Sequence, residues 1–289
     1  MKLELDVSED FSLSSKLDGL PKIIYRSHDK NHFNIEEQLE IWGISNYQKH
    51  ENKYSDNNYL EWKDLVLDKG LMQDPIELAF TMNVIDSIVS WYDNCDDEYA
   101  IFCSEDLSFD CVKYWPFDWK FLMNNLPYNW DCIQLSAYSR KTLKMHVHPY
   151  IGSMGYKCFM VTRYFAKRLK HYHYIDGKYK LHYYNPNKSI LQEKYGSLDE
   201  FFYDLGITYT FPIFSHKPPF IDTKRTMMDV CDEGVEYWWM DKAPMFSNFE
   251  LFHYKKGDDE WKMELQFENE GPEKLQVWMD ARRGVTIWT

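Results

Sequence analysis

The sequence lacks several features that would assign it to a simple class. No apolar run reaches the length of a membrane-spanning helix, and the longest candidate, residues 76–91, is interrupted by Glu77 and Asp86. Residues 1–15 lack the apolar core of a signal peptide. The six cysteines include no C-x-x-C pair, so we expect reduced, buried thiols in a cytoplasmic protein without a membrane span.

Basic charge is also scarce. The chain of 289 residues has 33 Lys and Arg against 46 Asp and Glu, a net charge of −13. A generic nucleic-acid binder needs a basic face, so we expect no nucleic-acid partner. Only 12 Gly and 11 Pro are present, and a composition that is 44% hydrophobic excludes disorder as the main state.

Aromatic residues are unusually abundant, at 18% of the chain. Some of them must form the core. Others would suit the flat faces on which sugars and nucleobases stack, and composition alone does not separate these two uses.

Strand-like and helix-like segments alternate along the first two thirds of the chain. Apolar runs at 22–26, 99–103 and 132–136 predict buried strands. Helical periodicity predicts helices at 75–91, with Pro75 in the first turn, and at 162–170, with Thr162 as the cap. This alternation predicts an α/β fold with a mostly parallel central sheet flanked by helices.

Two segments depart from that pattern. Residues 172–184 predict an inserted β-hairpin that turns at Asp176-Gly177. Alternating apolar residues around Met263 and Val277 predict strands near the C-terminus. We therefore expect a main domain over residues 1–225 and a β-rich C-terminal extension over residues 226–289 that packs on it.

The strongest chemical signal is Ser104-Glu105-Asp106, which directly follows the apolar run at 99–103. Ligands of open α/β sheets bind beyond the carboxyl ends of strands. Carboxylates at that place suit Mg2+ or Mn2+ bridging a diphosphate. The alternative is that these acidic residues simply end a strand at the solvent.

The residues around this motif resemble glycosyltransferase family 25, the lipopolysaccharide and procollagen galactosyltransferase group. Blocks at 77–83, 100–107 and 155–169 follow the family's order, with a looser fourth block that contains Asp199, Tyr209 and residues 212–214. Ser104 stands where the family has an acidic residue, and Val84 stands where it has histidine.

The resemblance implies a Rossmann-like, A-type glycosyltransferase fold and a metal-dependent enzyme. This enzyme would transfer a hexose, glucose or galactose, from a UDP-sugar to a glycan or lipopolysaccharide-type hydroxyl acceptor, with inversion. Asp106 would bind Mn2+ or Mg2+, and His216 would be a late metal ligand by analogy with other A-type transferases.

The same resemblance assigns the donor-binding residues. The nucleotide-sugar would contact the end of the first strand, the helix at 75–91 and the acidic motif, through Tyr25, Arg26, Ser27, Glu77, Asn83, Ser104 and Glu105. Arg26 can instead be a surface cation paired with an acid. Asn83 can instead belong to an exposed polar turn.

Asp199 is the candidate general base that removes the proton of the acceptor hydroxyl. It is also a reasonable first residue of a helix. His146 and His148 have the alternate spacing of a zinc pair on a strand, but loop histidines beside Pro149 are the favoured interpretation.

Two other functions fit parts of the pattern. A non-catalytic carbohydrate-binding protein with a degenerate transferase site would explain Ser104 and the aromatic content. A glycoside hydrolase would use two carboxylates and no nucleotide.

Overall fold

The computed structural model describes residues 13–27, 35–68, 74–139, 142–181, 201–217, 227–245, 248–252, 262–265, 277–280 and 284–287. Its α-helices are α1 (Ile35–Ile41), α2 (Tyr59–Trp62), α3 (Pro75–Asn94), α4 (Trp119–Asn125), α5 (Arg163–His173), α6 (Met227–Tyr237) and α7 (Asn248–Phe252). Its strands are β1 (Ile23–Ser27), β2 (Tyr47–Glu51), β3 (Val66–Asp68), β4 (Tyr99–Ser104), β5 (Leu107–Ser108), β6 (Cys132–Gln134), β7 (Thr142–Lys144), β8 (His148–Pro149), β9 (Cys158–Thr162), β10 (Tyr174–Ile175), β11 (Lys178–Lys180), β12 (Thr208–Thr210), β13 (Ser215–His216), β14 (Lys262–Leu265), β15 (Val277–Asp280) and β16 (Gly284–Ile287).

The central sheet has seven strands in the order β2-β1-β4-β9-β6-β12-β8. Strand β1 pairs in parallel with both β2 and β4, and β6 pairs in parallel with β12. Strand β9 is antiparallel to both of its neighbours, β4 and β6, so these two strands share one direction. Five of the seven strands therefore run the same way, which confirms the predicted α/β class with a mostly parallel sheet.

Both faces of the central sheet are covered, as the continuous apolar strands predict. Ile24, Phe102 and Phe159 belong to the hydrophobic cluster on the side of α3 and α5. Ile101 and Met160 belong to the cluster on the opposite side, which also contains most of the buried tryptophans. Many of the aromatic residues in the described ranges thus pack in the core.

Helix α3 confirms the helix that was predicted from Pro75. Pro75 occupies the first turn, and the carboxylate of Asp74 caps the helix by accepting a hydrogen bond from the Ile76 N–H, 2.9 Å away. Although α3 has 20 residues, Asn83 and Asp86 are buried within it. Among the described residues, no helix combines the length and apolarity needed to span a membrane.

Helix α5 and the hairpin that follows it are present, but α5 continues to His173, so residues 172–173 of the predicted hairpin are helical, and residues 182–184 lie outside the described residues. The hydroxyl of Thr162 caps α5 by accepting a hydrogen bond from Phe165 N–H at 3.2 Å. Strands β10 and β11 pair around Asp176 and Gly177, whose φ angles of 50° and 77° are those of a tight hairpin turn. Strand β11 also pairs with β3, so the hairpin is part of a three-stranded sheet.

The C-terminal extension differs from the expected β-rich segment in its first part. Residues 227–245 and 248–252 are helical, because Cys231, Val235, Trp238 and Trp239 recur at helical spacing and are buried on one side. The predicted strands near Met263 and Val277 are present as β14 and β15. They form a four-stranded sheet with β16 and with β7, a strand from much earlier in the chain.

Candidate functional site

The ends of β1 and β4 bring together residues that the sequence predicts to bind a nucleotide-sugar. The two strands are parallel neighbours, with Arg26 opposite Ser104, so the residues after them lie at the same edge of the sheet. There the hydroxyl of Ser27 donates a hydrogen bond to Oε2 of Glu105 at 2.9 Å. We call this edge of the sheet, together with Asp106 and the side chains around it, the strand-end site.

Both carboxylate oxygens of Asp106 have partners. The hydroxyl of Ser104 donates to Oδ1, and the ammonium of Lys157 lies 2.7 Å from Oδ2. Burial alone would raise the pKa of Asp106, but nearby His216, Lys157 and the Ser104 hydroxyl outweigh it and hold that pKa below its usual value. Asp106 is therefore ionised at neutral pH.

His216 reaches the strand-end site from a segment 110 residues later in the chain. Strand β13 pairs antiparallel with β5, which places His216 opposite Leu107, the residue after Asp106. The backbone N–H of Lys217 donates to the carbonyl of Asp106 at 2.8 Å and fixes this approach. The backbones of the two predicted metal ligands, Asp106 and His216, are thus adjacent, and His216 is near enough to influence the pKa of Asp106.

The imidazole of His216 is held in one orientation. Its Nδ1 lies 3.2 Å from Oδ1 of Asp232 and 2.9 Å from the hydroxyl of Tyr138. A carboxylate can only accept a hydrogen bond, so we assign the proton to Nδ1. In the neutral form of the ring, Nε2 then carries the lone pair, and it is buried without a hydrogen-bond partner among the described residues. Metal-binding histidines are commonly oriented in this way by a carboxylate.

Gly155 allows Tyr138 to approach His216. Its φ angle of 118° favours glycine, and a Cβ at this position would lie 2.8 Å from Cδ2 of Tyr138. The hydroxyl of Tyr203 donates to the carbonyl of Gly155 from the other side. A side chain at residue 155 would therefore push the Tyr138 ring away from its position.

Arg26 lies behind the strand-end site rather than on its surface. Its side chain is buried between the rings of Phe80 and Phe159, each 5.7 Å from the guanidinium carbon, and Nη2 donates to the carbonyl of Tyr156 at 3.1 Å. Burial lowers the pKa of this guanidinium. Nε and Nη1 have no hydrogen-bond partner in the described part of the chain, so Arg26 is not the surface ion pair that was the alternative.

The side chain of Tyr25 points to the opposite face of β1. It is buried, its hydroxyl donates to the carboxylate of Glu36, and its ring lies 6.3 Å from that of Tyr47. Burial and the Glu36 carboxylate raise the pKa of Tyr25. The phenol is therefore used to attach α1 to the sheet.

Two residues of α3, Glu77 and Asn83, are predicted to bind the nucleotide-sugar, and their surroundings differ from each other. The amide of Asn83 is buried, accepts hydrogen bonds from the backbone N–H groups of Lys53 and Tyr54 at 3.0 and 3.2 Å, and donates to the Tyr54 carbonyl at 2.8 Å. It fastens this segment to α3, and it is not on an exposed turn. Glu77 is half-buried in the first turn of α3. Asp199 lies outside the described residues.

His146 lies in a loop, as predicted, whereas His148 begins β8, and both side chains are buried. Nδ1 of His148 lies 2.8 Å from the carbonyl oxygen of His146, and the two ring centroids are 5.4 Å apart. Burial lowers the pKa of His146 to about 3 and that of His148 to about 4. Both rings are therefore neutral at physiological pH.

Three residues of the strand-end site were missed by sequence reasoning: Lys157, Tyr138 and Asp232. Lys157 directly follows Gly155 and Tyr156 and lies in the block at 155–169 that carries the family resemblance. Its role depends on the antiparallel direction of β9. Asp232 lies on α6 at helical spacing from Trp239, a signal that could have identified the helix but not its contact with His216.

The residues present fit a divalent cation that is shared with a substrate. In the described ranges, no group of three or more His, Cys, Asp or Glu side chains could hold a metal by itself. Mg2+ and similar ions are commonly bound by one or two carboxylates together with substrate phosphates. Asp106 supplies one carboxylate of that kind, and Nε2 of His216 is a candidate nitrogen ligand beside it.

Comparison with known proteins identifies no family for this chain. No family model matches the sequence, and no curated protein matches it. Among solved structures, the chain is similar to the crystal structure of A197 from STIV, with 11% identity over 71% of this chain and 88% of that chain, and with a TM-score of 0.37. At this TM-score the likeness supports no inference about function.

Proposed function

We propose that this protein is a metal-dependent glycosyltransferase with an A-type fold. It transfers a hexose, glucose or galactose, from a UDP-sugar to a hydroxyl of a glycan or lipopolysaccharide-type acceptor, with inversion. The observation that carries the proposal is that β13 places His216, whose Nδ1 faces Asp232, beside the backbone of Asp106 at the carboxyl ends of β1 and β4.

The donor would lie across that edge. Asp106 and Nε2 of His216 would hold the cation, which would supply positive charge to neutralise the charge that develops on the leaving diphosphate. In this proposal Ser27, Ser104 and Glu105 would contact the ribose and the diphosphate. Arg26 adds a fixed positive charge from behind the sheet, because its guanidinium is buried near Asp106.

The acceptor oxygen bonds to the anomeric carbon as the carbon's bond to the diphosphate oxygen breaks, and the diphosphate leaves with that electron pair. By the family resemblance, Asp199 takes the proton from the acceptor hydroxyl. Asp199→Asn should then keep UDP-sugar binding and reduce transfer severely. Unchanged transfer would move the role of base to another residue.

The proposal also includes a compartment. The six cysteines are free thiols, and five of them are buried. Free thiols suit the reducing conditions of the cytoplasm, which is the compartment we propose.

The test is a panel of nucleotide-sugars, with release of free nucleotide followed with and without Mn2+. Slow, metal-dependent hydrolysis of one UDP-sugar is expected. Asp106→Asn should reduce that rate at least about a hundredfold, because it removes a ligand of the cation. Asp110→Asn is the matched control, since Asp110 pairs with Lys217 in the same segment but lies outside the strand-end site.

A negative result with the nucleotide-sugar panel would favour the carbohydrate-binding alternative. If no donor is hydrolysed or bound, and the protein binds free saccharides without metal, the alternative of a carbohydrate-binding protein with a degenerate site replaces this proposal. That alternative has one observation in its favour, because Ser104 replaces an acidic residue and donates to Asp106 rather than binding a cation.

A further inference from the structure

Lys157 occupies the position at Asp106 that a cation needs. Its ammonium lies 2.7 Å from Oδ2 of Asp106, and only 23% of the lysine side chain and 15% of the Asp106 side chain are exposed. The backbone of Lys157 is fixed beside β4, because its carbonyl accepts a hydrogen bond from the Ser104 N–H at 2.8 Å. The lysine can therefore move its ammonium while its backbone stays in place.

The charges around Asp106 disfavour a divalent cation that arrives alone. Lys157 and the buried Arg26 are both positive, whereas Asp106, neighbouring Glu105 and Asp232 beside His216 are negative, so a divalent cation that binds alone would leave this group with a net positive charge. A divalent cation that binds alone adds two positive charges to this group. It also displaces the Lys157 ammonium toward another positive group. Both changes are electrostatically unfavourable. A diphosphate that arrives with the cation supplies the missing negative charge and a new partner for Lys157.

We propose that Lys157 holds Asp106 when the donor is absent and transfers its ammonium to the donor's diphosphate when the nucleotide and the divalent cation bind together. This inference rests on the proposed function. It makes the nucleotide and the metal obligatory partners in binding, so that free metal binds weakly and the UDP–metal complex binds well.

The experiment measures Mn2+ binding by electron paramagnetic resonance, in the full-length protein, without nucleotide. Lys157→Met should bind free Mn2+ at least about tenfold more tightly than the unmodified protein, because the competing charge-assisted hydrogen bond to Asp106 is gone. In a second titration at saturating Mn2+, the same variant should bind UDP at least about tenfold more weakly. Unfolding of the variant would not strengthen the binding of Mn2+ while weakening the binding of UDP.

Control variants separate charge from packing. Lys170→Met removes a lysine with a similar ion pair, 2.6 Å from Asp93, between α5 and the end of α3, and should change neither affinity. Lys157→Arg keeps the positive charge and should keep free Mn2+ binding weak. If Lys157→Met does not fold, Lys157→Gln makes the same test with a polar side chain.

The outcomes distinguish this inference from the proposed function. If the unmodified protein binds UDP with Mn2+, but removal of the Lys157 charge leaves free Mn2+ binding unchanged, the role of Lys157 is refuted and the transferase proposal stands. If the unmodified protein binds no UDP with or without Mn2+, the proposed function fails, and this inference fails with it.

Discussion

Oδ1 of Asp232 accepts hydrogen bonds from both the backbone N–H and the Nδ1 of His216, at 2.9 and 3.2 Å. One carboxylate oxygen thus sets both the position and the protonated nitrogen of the histidine. It does so from α6, a helix outside the central sheet. The geometry of the strand-end site therefore depends on the C-terminal part of the chain.

The first prediction concerns that carboxylate. Asp232→Asn should weaken binding of the UDP–Mn2+ complex by about 10- to 100-fold, because an amide can present either a donor or an acceptor to Nδ1 and no longer fixes the tautomer. Isothermal titration with UDP at saturating Mn2+ measures the change. Asp229→Asn, one turn earlier on α6, is the control and should leave that affinity within about twofold. Equal losses in the two variants would contradict the assignment.

The second prediction concerns Gly155. Alanine at residue 155 should cost about 1–3 kcal/mol of unfolding free energy for its φ angle, and about 1–3 kcal/mol more because its Cβ overlaps Tyr138. Gly152→Ala is the matched control, since Gly152 has a φ angle of 91° and nothing lies within 4 Å of a Cβ built there. Urea unfolding should therefore rank Gly155→Ala as clearly less stable. Equal stability of the two variants would show that the Tyr138 contact adapts without cost.

The third prediction is loss of stability in mild acid. The pKa values of His146 and His148 are about 3 and 4 in the folded protein, against about 6.5 in an unfolded chain. Between these values the unfolded chain binds more protons, so unfolding free energy falls as pH drops below about 6.5. The full effect is on the order of several kcal/mol for the two rings together. Depressed carboxylates such as Asp106 act in a lower window, below about pH 4.

Urea titrations from pH 7.5 to pH 4.5 check the acid effect. His148→Gln should flatten the dependence of unfolding free energy on pH, whereas replacement of the exposed His171 should not change it. A profile that is level between pH 7 and pH 5 would show that the two buried rings are protonated in the folded protein.

The fourth prediction concerns thiol reactivity. Cys95 is the one cysteine of the six that is partly exposed. Burial raises the pKa of Cys103 and of Cys231 to about 12, which keeps them protonated and unreactive. An aromatic disulfide reagent should therefore label one thiol quickly in the native protein and six after denaturation. Fast labelling of two or more thiols would show that the core around β4 opens readily.

Local sequence patterns predicted the local structure well. The apolar run at Tyr99 became β4, Pro75 began α3, Thr162 capped α5, and Asp176-Gly177 formed the hairpin turn. Each of these depends on residues within a few positions of one another, so periodicity and capping rules are sufficient.

Contacts between distant segments were harder to predict. His216 was proposed as a metal ligand only by analogy, and its partner Asp232 was not considered. The contact between them requires β13 to pair with β5 and α6 to pack on β13, and no short-range pattern encodes either step. The role of Lys157 likewise follows from the direction of β9, which an apolar run does not reveal.

The position of β9 has a consequence for synthesis of the chain. Strands β1, β2 and β4 all precede it, and β9 covers the open side of β4. A nascent chain that ends before residue 158 therefore presents the backbone of β4 as an uncovered strand edge flanked by the buried side chains Ile101 and Phe102. Unpaired apolar edges are sites of aggregation. The growing polypeptide should thus need chaperone protection until β9 leaves the ribosome, and stalling upstream of that strand should yield insoluble fragments.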